Sequence, residues 1–103
     1  MEAIMTVNLI LTVNDLPIKT DYFVAAFIDH TVSGMIESLE GTGKINKLHL
    51  IIEGDIVDIN LNGVTVPVNT FTGKIIRATL IGMVSPLKGV NGAIKKLSVV
   101  LNK

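Results

Sequence analysis

Hydrophobic and polar residues alternate along four stretches of the chain, and this period of two predicts four β-strands. The strands are expected over Met5–Val13, Lys44–Glu53, Ile56–Leu61 and Ile94–Leu101. Every second residue of a half-buried strand faces the core, so one set of apolar side chains should point inward. In the second and fourth strands this set comprises Leu48, Leu50, Ile52, Leu97, Val99 and Leu101.

A tight turn and a short extended arm follow the first and third strands. Asn14-Asp15 and Asn62-Gly63 are pairs typical of two-residue hairpin turns. Pro17 and Pro67 lie in the arms. Proline has no N–H to donate to a neighbouring strand, so we expect these arms at the edges of a sheet.

Apolar residues recur at helical spacing in two further stretches. The first helix is predicted from a cap at Thr20 or Asp21 to about Glu40, with Gly41 as its left-handed stop. Its apolar face comprises Val24, Ile28, Thr31, Val32, Met35 and Leu39, with Phe23 and Phe27 beside them. The second helix should start after Asn69 or Thr70 and close at Lys88-Gly89, with Pro86 ending its regular hydrogen bonding or tightening its last turn. Its matching face comprises Phe71, Ile75, Ile76, Thr79, Leu80, Met83 and Leu87.

The chain carries the same frame of residues twice. Thr31, Gly34, Met35, Leu39 and Gly41 return at one constant spacing as Thr79, Gly82, Met83, Leu87 and Gly89. We therefore expect one domain, residues 1–103, built from duplicated halves 5–54 and 55–103.

Two β-α-β units joined by a tight hairpin predict an α+β, ferredoxin-like fold. This fold is a four-stranded antiparallel sheet with both helices on one face. The starting strand of each half should lie in the centre and the closing strand at an edge. The alternative is a dimer in which the same elements are exchanged between chains.

Glycine recurs inside both predicted helices, where it costs about 1 kcal/mol relative to alanine. Because this cost is present in both halves, we infer that glycine is needed at these positions for a steric reason. We therefore predict close helix packing at Thr31, Gly34, Thr79 and Gly82. A ligand site lined by backbone atoms is the alternative explanation.

Composition narrows the functions that such a fold can have. Nine basic residues balance nine acidic ones, so no long-range field favours nucleic acid or an anionic membrane. The chain has no cysteine, which excludes disulfides, thiolate zinc sites and thiol catalysis and fits a reducing cytoplasm. The N-terminal apolar run contains Asn8 and reads as a strand, so we predict a cytoplasmic protein without a signal peptide.

Candidate chemistry is sparse, and we predict neither a cofactor nor a metal site. His30 and His49 have no partner at metal-ligand spacing. Glu53, Asp55 and Asp58 read as a charged turn, with a weak divalent-cation site as the alternative. The segment 41–44, GTGK, follows a helix and precedes a strand, the reverse of a phosphate-binding loop.

Three activities known for ferredoxin-like domains lack their residues in this chain. RNA-recognition modules stack bases on strand aromatics, whereas the outward strand positions here are mainly Thr, Asn and Asp. Metal chaperones use paired cysteines. An acylphosphatase-like enzyme needs a cationic cradle after the first strand, and the single arginine, Arg77, lies on the second helix.

We therefore expect a non-enzymatic, self-associating binding or assembly domain, most simply a homodimer, with no nucleic-acid or membrane partner. The alternative is a small enzyme or ligand-sensing subunit whose pocket forms between chains, and its small-molecule ligand is unknown. The predicted contact surface is the sheet face away from the helices, because its centre carries few charges. Its residues are Ile10, His49, Ile51, Asn60 and Val100.

Overall fold

A computed structural model describes residues 8–39 and 41–103 as six β-strands and two α-helices. Their order is β1 (Asn8–Val13), β2 (Leu16–Ile18), α1 (Tyr22–Glu37), β3 (Lys47–Glu53), β4 (Ile56–Leu61), β5 (Val64–Val66), α2 (Thr70–Val84) and β6 (Lys96–Asn102). Each half contributes two strands, a helix and a third strand. Residues 5–7 of the predicted first strand, and Glu40 at the predicted end of the first helix, lie outside the described residues.

The strands form one antiparallel sheet in the order β2-β1-β6-β3-β4-β5. The α+β class is confirmed, but the four-stranded ferredoxin-like arrangement is not, because the sheet has six strands. The predicted strand positions are also wrong. The closing strands β3 and β6 are paired with each other in the centre, and the starting strands β1 and β4 lie outside them.

The short strands β2 and β5, which are the predicted arms, explain this strand order. In the predicted ferredoxin-like arrangement, each starting strand is central and has a neighbouring strand along both of its edges. Here β2 pairs with one edge of β1, and β5 pairs with one edge of β4. Each starting strand therefore keeps a single free edge, which its neighbouring closing strand occupies. The arms themselves form the two edges of the sheet, so the edge position predicted for Pro17, within β2, is confirmed.

Both hairpin turns are confirmed. Asn14 and Asp15 have positive φ angles of 50° and 68°, and Asn62 and Gly63 have φ of 53° and 87°. Two successive left-handed residues are the signature of the turn whose twist matches that of paired strands.

The asparagine that opens each turn also accepts hydrogen bonds from the backbone at the start of a central strand. Asn14 Oδ1 accepts hydrogen bonds from the backbone N–H groups of Lys95 and Lys96, at 2.8 and 3.0 Å. Asn62 Oδ1 accepts from the N–H groups of Asn46 and Lys47, at 2.9 and 2.8 Å. The two turns thus fix where β6 and β3 begin.

Both helices start at a side-chain cap. Asp21 Oδ1 accepts from the N–H of Val24 at 2.8 Å, and Asn69 Oδ1 accepts from the N–H of Thr72 at 2.7 Å. These bonds satisfy N–H groups in the first turn that have no partner within the helix. The predicted caps at Asp21 and Asn69 are therefore confirmed.

The hydrophobic core lies between one face of the sheet and the two helices. The inward residues predicted for β3 and β6 are all buried, and they meet two stripes of helical side chains. These stripes comprise Ile28, Val32 and Ile36 on α1 and Ile76, Leu80 and Val84 on α2. Except for Ser33, every side chain buried in the described residues is aliphatic or, at Gly73, absent. The result is a slab only 18 Å thick in its Cα trace.

Candidate interaction surfaces

The residues predicted for self-association lie together on the sheet face that points away from the helices. Ile10 pairs with Val100, Val100 with His49, and His49 with Asn60, so four of them form one row across four strands. Ile51 lies on the same face, two residues along β3. Ile10 and Asn60 are exposed, while the other three are half-buried by their neighbours.

This face also holds one pair of side chains with potential chemistry. His49 Nε2 lies 3.2 Å from Ser98 Oγ, within a shallow hollow of about 220 Å³. Lys96 and Asp15 line the same hollow and form an exposed ion pair at 3.3 Å. A serine beside a histidine is the core of a nucleophilic site, which also needs a group to orient the histidine and donors for an oxyanion.

The predicted close helix contact is not present among residues 8–39 and 41–103. Gly34 and Gly82 are both exposed, and a Cβ built on either one would have no atom within 4 Å apart from the adjoining backbone of its own helix. Thr31 and Thr79 are half-buried one turn earlier. The two glycines lie on the outer faces of α1 and α2, opposite the buried stripes, so a steric need inside the fold does not explain them.

The aromatic residues lie on the outside as well. The chain has three phenylalanines and one tyrosine. All four are exposed: Tyr22 by 61%, Phe23 by 72%, Phe27 by 50% and Phe71 by 70%. Phe23 and Phe27 stack on one another, with ring centroids 5.9 Å apart. Phenylalanine is among the residues most often buried, so this distribution is unusual.

The prediction of a single apolar face on the second helix is wrong, because Ile76 and Leu80 are buried whereas Phe71 and Ile75 are exposed. Ile75 is 47% exposed and Phe71 more so. Each helix carries two apolar stripes with the same residue spacing. The stripe formed by Ile, Val and Leu is buried, and the stripe that contains phenylalanine is exposed. Phe23 recurs as Phe71, and each lies one helical turn before a second large apolar residue, Phe27 or Ile75. This recurrence is the sequence signal for a second, exposed apolar stripe.

The two helices run side by side in opposite directions over the sheet. Met35 and Leu39, at the end of α1, line a groove of about 290 Å³ with Thr72 and Ile75, at the start of α2. At the other end, Val24 at the start of α1 lines a larger groove with the turn after α2. The start of each helix therefore lies beside the end of the other.

A further hollow of about 700 Å³ lies between α2 and the β4 side of the sheet. Lys74, Arg77 and Asp55 line it. Arg77 Nε donates to the backbone carbonyl of Gly54 at 2.6 Å, which anchors the guanidinium to the β3–β4 turn. The hollow therefore combines one anchored and one exposed cationic side chain with a nearby carboxylate.

The remaining sequence candidates have structural explanations. Thr42 of the GTGK segment donates its hydroxyl to the carbonyls of Ile36 and Leu39, so the segment closes α1. His30 is exposed on the same helix. Across residues 8–39 and 41–103, no three histidine, aspartate or glutamate side chains are grouped closely enough to hold a metal ion.

In the described part of the chain, neither helix has the length and apolar character needed to cross a bilayer. Comparisons of the chain with models of protein families, with curated proteins and with solved structures found no match.

Proposed function

We propose that this protein is a small, non-enzymatic domain that functions by associating with copies of itself. The observation that carries the proposal is the exposure of every aromatic side chain in the chain. Aromatic residues are prominent among the residues that dominate the energetics of protein interfaces.

The shape of the fold supports the same proposal. A slab 18 Å thick with longer dimensions of 41 and 35 Å has two broad faces and little interior. Its core is formed almost entirely by Ile, Leu and Val, so burial of further apolar area between chains would add to the stability that the core provides.

Association of two chains through the edge strands of the sheet is disfavoured. The edge strands β2 and β5 have three residues each, and Pro17 lies within β2. Short edges and proline are features by which natural sheets avoid pairing with other chains. Association therefore has two candidate surfaces: the sheet face with Ile10, His49, Ile51, Asn60 and Val100, and the outer face of the two helices.

The proposal is tested by measuring the molar mass of the parent protein by sedimentation over a wide concentration range. We expect a concentration-dependent species of twice the 11.0 kDa mass of one chain. A protein that remains monomeric at high concentration, in a buffer where it stays folded, would contradict the proposal.

The second candidate function is a small enzyme or ligand-sensing subunit. It is favoured by the His49–Ser98 pair and by the hollow with Lys74 and Arg77. The test is a thermal-shift screen with anions, nucleotides and small acids, because a ligand at 100 times its Kd adds about 2.7 kcal/mol of stability. A shift that is lost in Arg77→Gln would assign the ligand to that hollow.

We also propose that the halves 5–54 and 55–103 arose by internal duplication. The turn asparagines Asn14 and Asn62 perform the same task at the spacing of the repeat, and so do the caps Asp21 and Asn69. Equivalent side chains with equivalent hydrogen bonds support common ancestry more strongly than similar elements alone.

A further inference from the structure

The outer face of the helix pair has a regular distribution of large and small side chains. We call this surface the helix-layer face and define it by Phe23, Phe27 and Gly34 on α1 and by Phe71, Ile75 and Gly82 on α2. The three residues of each set lie on one side of their helix, because four and seven residues are close to whole numbers of turns. Each helix is therefore bulky near its start and notched near its end.

Because the helices run in opposite directions, these features alternate around the face. The bulky start of α1 lies beside the notched end of α2, and the bulky start of α2 lies beside the notched end of α1. The notches are open, since nothing lies within 4 Å of a Cβ built on Gly34 or Gly82.

From this arrangement we propose that the partner of the helix-layer face is a second copy of the same face. The two copies are related by a two-fold axis parallel to the helices, so that α1 of one chain lies on α2 of the other. Phe23 and Phe27 then lie on either side of Gly82 of the partner subunit. By the same symmetry, Phe71 and Ile75 lie on either side of Gly34 of the partner subunit.

The charges on the face match this orientation. Glu37 is exposed at the end of α1, and Lys74 is exposed near the start of α2. The proposed axis places Glu37 of one chain beside Lys74 of the partner subunit, and the two-fold symmetry forms this pair at two places. An axis running across the helices would instead place α1 on α1 and leave both acidic groups without a basic neighbour from α2.

The helix-layer face is formed by helices of 16 and 15 residues, each about 24 Å long. A standard interface buries roughly 800 Å² on each partner, so the proposed contact extends along the full length of both helices. This inference rests on the proposed self-association and assigns to it a surface and a symmetry.

The first experiment compares Phe23→Glu and Phe71→Glu with Ile10→Lys as the matched control. All three replaced side chains are well exposed, and Ile10 lies on the opposite face of the slab. Glutamate in the first turn of a helix is favourable, so both helix variants should fold. We expect each to raise the dimer Kd at least about thirtyfold, as at hot-spot residues, while Ile10→Lys leaves it unchanged.

The second experiment fills a notch and exchanges the charges. Gly82→Leu should abolish the dimer while the isolated chain remains folded with unchanged circular dichroism. Glu37→Lys should weaken the dimer, and the double variant Glu37→Lys with Lys74→Glu should restore it.

The outcomes separate the two proposals. A monomeric parent contradicts self-association itself. A dimeric parent whose Kd is unaffected by Phe23→Glu, Phe71→Glu and Gly82→Leu overturns the helix-layer face and leaves self-association standing. A charge exchange that fails to restore the dimer overturns the proposed axis.

Discussion

Asn14 and Asn62 show how much of this fold depends on single polar side chains at its surface. Each adopts a positive φ, opens a two-residue turn, and uses one oxygen to accept two backbone N–H groups from a distant loop. Each amide nitrogen also donates to a carbonyl in that loop, Ala93 or Lys44, at 3.0 and 2.8 Å. Asparagine is the residue that tolerates the left-handed region and supplies both donor and acceptor.

We predict that Asn62→Ala lowers the free energy of unfolding by about 2 to 3 kcal/mol, because three hydrogen bonds are lost and alanine is strained at positive φ. Asn62→Gly relieves the strain but not the lost hydrogen bonds, so it should recover only part of this loss. Urea unfolding measures both variants. An Asn62→Gly protein as stable as the parent would show that the hydrogen bonds contribute nothing.

A second residue-scale prediction concerns Gly63, whose φ of 87° is left-handed. Gly63→Ala should cost about 1 kcal/mol, since the left-handed region disfavours a Cβ. No atom lies within 4 Å of a Cβ at this position, so the cost is conformational and not steric. Thermal unfolding at low protein concentration measures it, and an unchanged melting temperature would contradict the prediction.

At the scale of elements, each helix has two apolar stripes with different tasks. The stripe of Ile28, Val32 and Ile36 is fully buried against the sheet, whereas Phe23 and Phe27 on the same helix remain exposed. Gly34 and Gly82 belong to the outer stripe, where glycine lowers the stability of the isolated helix. In the part of the chain that the structure describes, no neighbouring element packs against either glycine.

We therefore predict that Gly34→Ala, in contrast to Gly63→Ala, stabilises the isolated chain by up to about 1 kcal/mol through helix propensity. Gly34 is exposed and helical, so the added methyl group meets open space. Unfolding should be followed at low protein concentration, where the proposed self-association does not contribute to stability. A destabilised monomer would mean that Gly34 has a packing role within the chain after all.

At the scale of the whole molecule, the sequence was informative wherever a rule acts over a few residues. The alternation in β3 and β6 identified their buried side chains correctly, and Asn62-Gly63 identified a turn. Such features depend on local geometry, which a single sequence contains.

The strand order and the exposed aromatics were not predictable in the same way. The order follows from which edges remain free after β2 and β5 have paired, a property of the assembled sheet. Likewise, Phe23 and Phe27 have the same four-residue spacing as Ile28 and Val32, so periodicity alone cannot identify the stripe that meets the sheet.

The central position of β6 has a consequence for how the chain is made. The ribosome produces this strand after the other five, yet β1 and β3 are joined only through it. Until residues 96–102 emerge, β1 and β3 each present an open edge, and the core between the two halves is incomplete. Closure then requires contacts that span most of the chain, which is a slow step in folding.

During this interval, a neighbouring nascent chain on the same messenger RNA offers an identical β6. Insertion of that strand between β1 and β3 would recreate every pairing of the native sheet and yield an intertwined pair without any new interaction. In such a pair, each chain would complete the sheet of the other with its last strand.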